Sequence, residues 1–201
     1  MGRKVIITIG REFGSEGHEI GKELAERLGI NMYDKDLLAI AAKRSGLAVE
    51  HLANVDESIA TRFLEPYLGF SMGNENLNDK LFAVESQIIR DIASKESCII
   101  IGRCADFVLK DEENCINAFI YAPYETRVNM IAQKHKITEE AARKLVKKMD
   151  QVRNSYYTFY AGKDWNRKEG KDLMLNRARF GIKGCVDILE AAYRECYECD
   201  E

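Results

Sequence analysis

The sequence predicts an α/β fold, a parallel sheet with helices on both faces. Three observations carry this. Val5, Ile6, Ile7, Thr8 and Ile9 form a β-branched run, as expected of a strand buried on both sides. A turn rich in glycine follows, with Gly10, Gly14 and Gly17, and then Ile20, Leu24, Ala25 and Leu28 repeat at helical spacing. The same alternation of short apolar runs and helical stripes recurs along the chain, which is the pattern of strands joined by crossover helices.

The elements follow in order. Gly29 is a fitting cap for the first helix. Residues 29–34 form a short extended piece ending at Asp34, which opens an Ala/Leu-rich helix over 35–44, closed by Ser45 and Gly46. Residues 47–76 carry helical pieces around 49–53 and 57–64 and then a loop; a substrate-covering segment and plain surface helices both fit. Helical spacing resumes over 77–95 through Leu81, Val84, Ile88, Ile89 and Ile92. The second strand, Cys98, Ile99, Ile100 and Ile101, ends in Gly102 and Arg103, as the first ends in Gly10 and Arg11. Residues 116–121 are a third strand, and Pro123 begins a helix that carries Arg127 and runs to about His135. Thr138 is a good N-cap, with Glu139 and Glu140 in the first turn. Its helix runs to Ala161 and ends at Gly162. Residues 162–170 are a polar loop with the single tryptophan, Trp165; 172–176 read as the last strand and 181–197 as the last helix.

Composition narrows the function classes. The chain of 201 residues is 46% hydrophobic and 31% charged, an ordinary globular balance with enough length for a substantial core. No apolar run approaches membrane-spanning length, and the early first strand argues against a signal peptide. The six cysteines are scattered, without the spacing of a zinc site, so free thiols in a reducing cytoplasm are expected. A net charge of −3 argues against bulk nucleic-acid binding. Residues 132–171 nevertheless hold eleven Lys/Arg against five Asp/Glu. Such a segment supports either a local anion site or a solvated helix face.

Strand, glycine loop and helix N-terminus is the arrangement that holds phosphate, because backbone N–H groups and the helix dipole face the anion. The common phosphate-loop pattern G-x-x-x-x-G-K-[ST] is not matched, however. Counting back from Gly17, Glu12 stands where its first glycine would be; His18 replaces the lysine and Glu19 the metal-binding hydroxyl. Arg11, or His18 when protonated, could supply positive charge. A tight turn without any ligand is the alternative. Farther on, the helix over 139–161 has an apolar stripe of Ala142, Leu145, Val146, Met149, Val152 and Tyr156. With Met149 at zero and about 100° per residue, Arg153 lies near ~40°, inside the stripe. A guanidinium there must meet a carboxylate or a ligand anion. In open α/β sheets ligands gather at the carboxyl ends of the strands, where Arg11 and Arg103 stand in equivalent positions.

Four segments taken together resemble the cytidylate kinase-like family, relatives of the nucleoside monophosphate kinases. They are I-T-I-G-R-E-F-G-S-E-G-H-E-I-G-K over 7–22, M-Y-D-K over 32–35, I-G-R-C-A-D over 101–106 and G-K-D-W over 162–165. The resemblance covers about 4–193. It implies a P-loop NTPase-type three-layer fold, with a parallel five-stranded sheet, helices on both faces, an NMP-binding insertion and a helical lid. On that reading there is one domain, its core about 3–46, 77–135 and 170–197, its insertion about 47–76 and its lid about 138–169. The resemblance further implies ATP with Mg²⁺ as donor, CMP or dCMP as acceptor, nucleotide substrates as partners and a cytoplasmic location. Gly10, Gly14, Ser15, Glu16, Gly17, His18 and Glu19 would form the phosphate-binding segment. Arg103 would hold the acceptor's phosphate and Asp34 would lie near its nucleoside. Arg11, Arg127, Asp150 and Arg153 would surround the transferring phosphoryl. No residue set is assigned to a metal. Cytidylate kinases carry the lysine and hydroxyl that His18 and Glu19 replace here. The expected function is therefore phosphoryl transfer from ATP to a nucleoside monophosphate or a related small acceptor, with a nucleotide- or anion-binding module that lacks efficient transfer as the alternative.

Overall fold

The computed structural model describes residues 4–34 and 75–198. The helix expected over 35–44 and nearly all of the segment 47–76 lie outside the described residues. The strands are β1 (Ile6–Arg11), β2 (Asn31–Tyr33), β3 (Cys98–Ile101), β4 (Cys115–Tyr121) and β5 (Leu173–Asn176). The helices are α1 (Gly17–Leu28), α2 (Glu75–Ala93), α3 (Ala105–Val108), α4 (Tyr124–His135), α5 (Glu139–Ala161) and α6 (Arg177–Glu198). The five strands form one sheet in the order β2-β3-β1-β4-β5, and every pairing is parallel.

The central strands are mostly apolar because both of their faces are covered, with Thr8 in β1 and Asn117 in β4 as polar exceptions within them. Alternate residues of β1, β3 and β4, among them Ile7, Ile9, Ile101 and Ile120, pack against Ile20 and Leu24 of α1 and Val186 and Leu189 of α6. On the opposite face, Ile6, Cys98 and Ile100 meet Ile88 and Ile89 of α2 together with Ala105 and Leu109. A separate cluster joins α4 to α5 through Val128, Ile131, Leu145, Val146 and Met149, and takes in Phe13 from the loop after β1. That loop is thus anchored by an aromatic side chain in a core of its own.

The pairing of Ile9 with Ile101 brings the two Gly-Arg strand ends side by side. The Thr138 side chain accepts from the Ala141 amide, and Gly162 closes α5 in the left-handed conformation, both at the expected ends. Two features depart from expectation. The last helix begins at Arg177, one turn ahead of a break at Gly181 (φ 69°, ψ 179°), because glycine tolerates the non-helical backbone that joins two helical pieces. Trp165, expected in a polar loop, is buried and meets Phe119 edge-on, with ring centroids 5.0 Å apart. No described helix is long and apolar enough to cross a membrane.

Candidate functional site

Beyond the carboxyl ends of β1 and β3 the backbone leaves ordinary geometry. Gly102, Arg103 and Cys104 are consecutive residues in the left-handed region, with φ of 70°, 57° and 51°. Residues other than glycine adopt this region rarely, and such turns cluster at ligand sites. The turn is fixed by the Gly102 amide, which donates to the carbonyl of Ile9 at 3.0 Å. A Cβ on Gly102 would run into the Arg11 guanidinium, so glycine is what lets the two strand ends approach.

A hollow of about 390 Å³, including its open mouth, lies at this point, and Gly10, Arg11, Gly102, Arg103 and Arg153 all line it. Three guanidinium groups from distant parts of the chain therefore share one cavity. Each is held by the protein. Arg103 is buried and sits 3.2 Å from the Glu85 carboxylate of α2. Arg11 faces Asp34 at 3.6 Å. Arg153, turned inward from α5 as its helical angle requires, donates to the carbonyl of Arg11 at 3.0 Å and lies over the Phe13 ring.

Arg127 and Asp150 stand elsewhere, on the protein side of the loop. Asp150 accepts from the Phe13 amide at 2.8 Å and pairs with Arg127 at 2.6 Å. Arg127 also donates to the carbonyls of Phe13 and Ala122, each at 3.0 Å, and faces Glu12 at 3.1 Å. Glu12 in turn accepts from the Ala122 amide. These three charged groups clamp the loop to β4, α4 and α5. Burial raises the Glu12 carboxyl above its usual range, against the pull of the Ala122 amide and Arg127.

The loop itself turns at Gly14, where φ is 82°, and enters α1 through Glu16 at φ 59°. Ser15 is fully buried; its hydroxyl lies 2.9 Å from the Glu12 carbonyl, and its amide donates to the same atom. Its polar groups are thus spent on the turn. The first amides of α1, from Gly17 onward, precede the first intrahelical bond and form the anion-facing end of the helix. The acids around them are neutralised from outside: Glu16 pairs with Arg177 and Glu19 with Lys134. Burial works against the Glu19 charge, but Lys134, the Glu19 backbone amide and His18 together hold the carboxyl below its usual range. His18 Nδ1 lies 2.7 Å from Asp34 Oδ2. Burial likewise works against the Asp34 charge, and His18, Arg11 and Arg103 together keep its carboxyl low.

Asp106, Tyr156, Tyr157 and Lys171 also line the hollow, and none of them was a candidate site residue in the sequence. Tyr156 donates to Glu85 at 3.2 Å and so shares the partner of Arg103. Tyr157 donates to Asp106 at 2.8 Å, and the buried Lys171 ammonium meets the same carboxylate. Asp106 lies three residues after Arg103 in the segment that carries the resemblance. Lys171 gave no signal, because it closes a run of residues that are mostly exposed.

Residues 6–179 match the model of the cytidylate kinase-like family. The chain belongs to that family. It is 30% identical to the cytidylate kinase of Thermococcus sibiricus over 111 residues, which span 54% of this chain and 56% of that protein. It is 24% identical to the cytidylate kinase of Methanopyrus kandleri over 197 residues, 94% of this chain and 92% of that one. Among solved structures, an uncharacterized protein from Eubacterium ventriosum superposes with a TM-score of 0.74 at 28% identity, covering 95% and 99% of the two chains. A shikimate kinase from Bacteroides thetaiotaomicron, at 14% identity and a TM-score of 0.55 over 94% of this chain and 98% of its own, shares the fold. The parallel five-stranded sheet with helices on both faces is thus the expected α/β fold, and that kinase shares it.

In this member of the cytidylate kinase-like family, the backbone of the loop before α1 is tightly held. Gly14 is packed so closely on Arg127 that a Cβ would meet its carbonyl at 3.0 Å, and the loop wraps the start of α1. The fit to a dedicated metal cage is absent among the described residues, where no group of three acidic, His or Cys side chains gathers. A Mg²⁺ ion commonly keeps its waters and binds through substrate phosphates, which requires no such cage.

Proposed function

We propose that the protein transfers the γ-phosphoryl group of ATP to a nucleoside monophosphate of the CMP or dCMP kind. One observation carries the reading: Arg11, Arg103 and Arg153 converge on a single hollow, and the Arg11 side chain packs on Gly17 at the start of α1. Phosphoryl transfer is mainly positioning and charge neutralisation, and three guanidinium groups exceed what a single bound phosphate requires. In this reading the loop and the first amides of α1 hold the donor's phosphates. Arg103 holds the acceptor's phosphate, and Arg153 and Arg11 face the group in transit. Glu12, Arg127 and Asp150 keep the loop in shape without touching substrate. A Mg²⁺ ion bound through the ATP phosphates would offset their charge. The acceptor oxygen belongs to a phosphate that is already ionised near neutral pH, so no side chain is assigned as a base.

The relatives named cytidylate kinase support CMP as the first acceptor to try. ADP release should be followed with CMP, dCMP, UMP, AMP and GMP in the presence of Mg²⁺. Turnover with at least one of them is expected. A second reading, binding without transfer, is favoured by the engagement of His18 with Asp34 and of Glu19 with Lys134, which leaves the usual lysine and hydroxyl roles unfilled. ATP binding without turnover on any acceptor would decide for that second reading.

A further inference from the structure

We infer that Glu85 limits how tightly Arg103 holds phosphate, so that the acceptor is bound without being trapped. The inference rests on the proposed acceptor site and extends it to a residue that does not line the hollow. Three cations of the hollow come with a carboxylate: Arg11 with Asp34, Lys171 with Asp106 and Arg103 with Glu85. Glu85 is the deepest of the three acids, its side chain 4% exposed against 13% for Asp34 and 14% for Asp106. It stands on α2 and touches Arg103 and Tyr156, which do line the hollow.

The two carboxylate oxygens of Glu85 differ. Oε2 accepts from Tyr156 Oη at 3.2 Å. Oε1 lies 3.2 Å from Arg103 Nη1, yet among the described residues it accepts no hydrogen bond. The contact with Arg103 is therefore one of charge rather than of directed donation. A buried oxygen without a directed bond contributes little to stability; what it supplies here is charge. Its place is set by helix packing. One turn before Glu85, Phe82 stacks on Tyr160 of α5, with ring centroids 3.8 Å apart and planes inclined by 12°. One turn after it, Ile88 and Ile89 are buried against the sheet. A charge fixed in a buried place is weakly screened, so Glu85 offsets part of the Arg103 charge wherever a phosphate meets that guanidinium. Affinity for the acceptor falls, and the reaction loses little by it. Binding that is equal in ground and transition states lowers KM without raising kcat.

Glu85→Gln tests this, because it removes the charge at nearly constant shape. The amide oxygen can face Arg103 while the amide nitrogen donates to Tyr156 Oη. Titration calorimetry with CMP, cytidine and inorganic phosphate reads the result. In the wild type CMP should bind more tightly than cytidine. The variant should bind CMP and inorganic phosphate about tenfold more tightly than the wild type does, and cytidine as before. In ADP-release assays its KM for CMP should fall and its kcat should not rise. A purely structural role for Glu85 predicts the opposite sign. Weaker or unchanged CMP binding would overturn the inference and leave the proposed function standing. Equal tightening of CMP and cytidine would also overturn it, since the change would then lie in the shape of the hollow. Wild-type protein that binds CMP no better than cytidine would overturn the proposed acceptor site as well. Should the guanidinium, left without its counter-charge, unfold Glu85→Gln, Glu85→Asp keeps the charge but draws it back by one methylene. The same selective gain for CMP, several-fold in size, is expected there, and its absence would overturn the inference.

Discussion

Arg127 shows how much of a phosphate loop is built from behind. Its Nε and Nη1 groups are engaged by Asp150, Glu12 and two carbonyls, which ties the guanidinium to the loop. Breaking one partner of a buried ion pair strands the other, at a cost of about 3–5 kcal/mol. Arg127→Met should therefore lower unfolding stability by about 3 kcal/mol or more, measured as a shift of the urea midpoint. Unchanged stability with lost activity would instead put Arg127 in the chemistry. Asp34 gives a pH prediction. Its folded carboxyl is held low despite burial, as is that of Glu19. A depressed carboxyl contributes stability above its unfolded value, about 4, and loses it as pH falls through the folded value. Glu12, raised by burial, acts in the opposite sense; its share is present at low pH and fades as pH rises through its folded value. The urea midpoint should fall between about pH 5 and pH 2, and Asp34→Asn should flatten that fall. An acid limb of the same depth in the variant would mean that Asp34 is not linked to folding.

At the scale of elements, two left-handed glycines separate strain from crowding. Gly162 ends α5 with nothing near the place of a Cβ, whereas Gly14 would put one 3.0 Å from the Arg127 carbonyl and 3.1 Å from the Ile131 side chain. Gly162→Ala should cost only the left-handed backbone penalty, about 1–2 kcal/mol. Gly14→Ala should cost that and more, and should weaken ATP binding, because the clamp has no slack. Equal losses of stability, with ATP binding intact, would mean that the loop simply shifts. These elements were legible because each obeys a local rule. Four expected strands and the short extended piece over 29–34 became the five strands, and Thr138 and Gly162 bounded α5 as their chemistry requires. The inward turn of Arg153 followed from helical geometry alone. The four-residue α3 was not legible, since its single turn carries no periodicity.

At the scale of the whole molecule, what sequence spacing could not supply were the partners that cross between elements. Of the basic residues between 132 and 171, Arg153 and Lys171 reach the hollow, while Lys144, Lys147, Lys148, Lys163 and Lys168 are exposed. Charge density along the chain suggested a site but could not choose its members, because burial is decided by packing from distant segments. Pairings such as Glu85 with Arg103 and Lys134 with Glu19 likewise join residues with no local relation. The same distribution predicts that the two substrates stabilise the molecule through separable contacts. A ligand at one hundred times its Kd adds about 2.7 kcal/mol. For a chain of this length each kcal/mol raises Tm by about 2–4 °C, so either saturating ligand should raise it by about 5–10 °C. Arg103→Ala lowers the starting Tm by stranding Glu85, but the shift produced by each ligand is read against the variant's own baseline. With ATP held by the loop and the acceptor's phosphate held by Arg103, the variant should keep the ATP shift and lose the CMP shift. Loss of both would mean that Arg103 acts through the fold, and retention of both would move the acceptor out of the hollow.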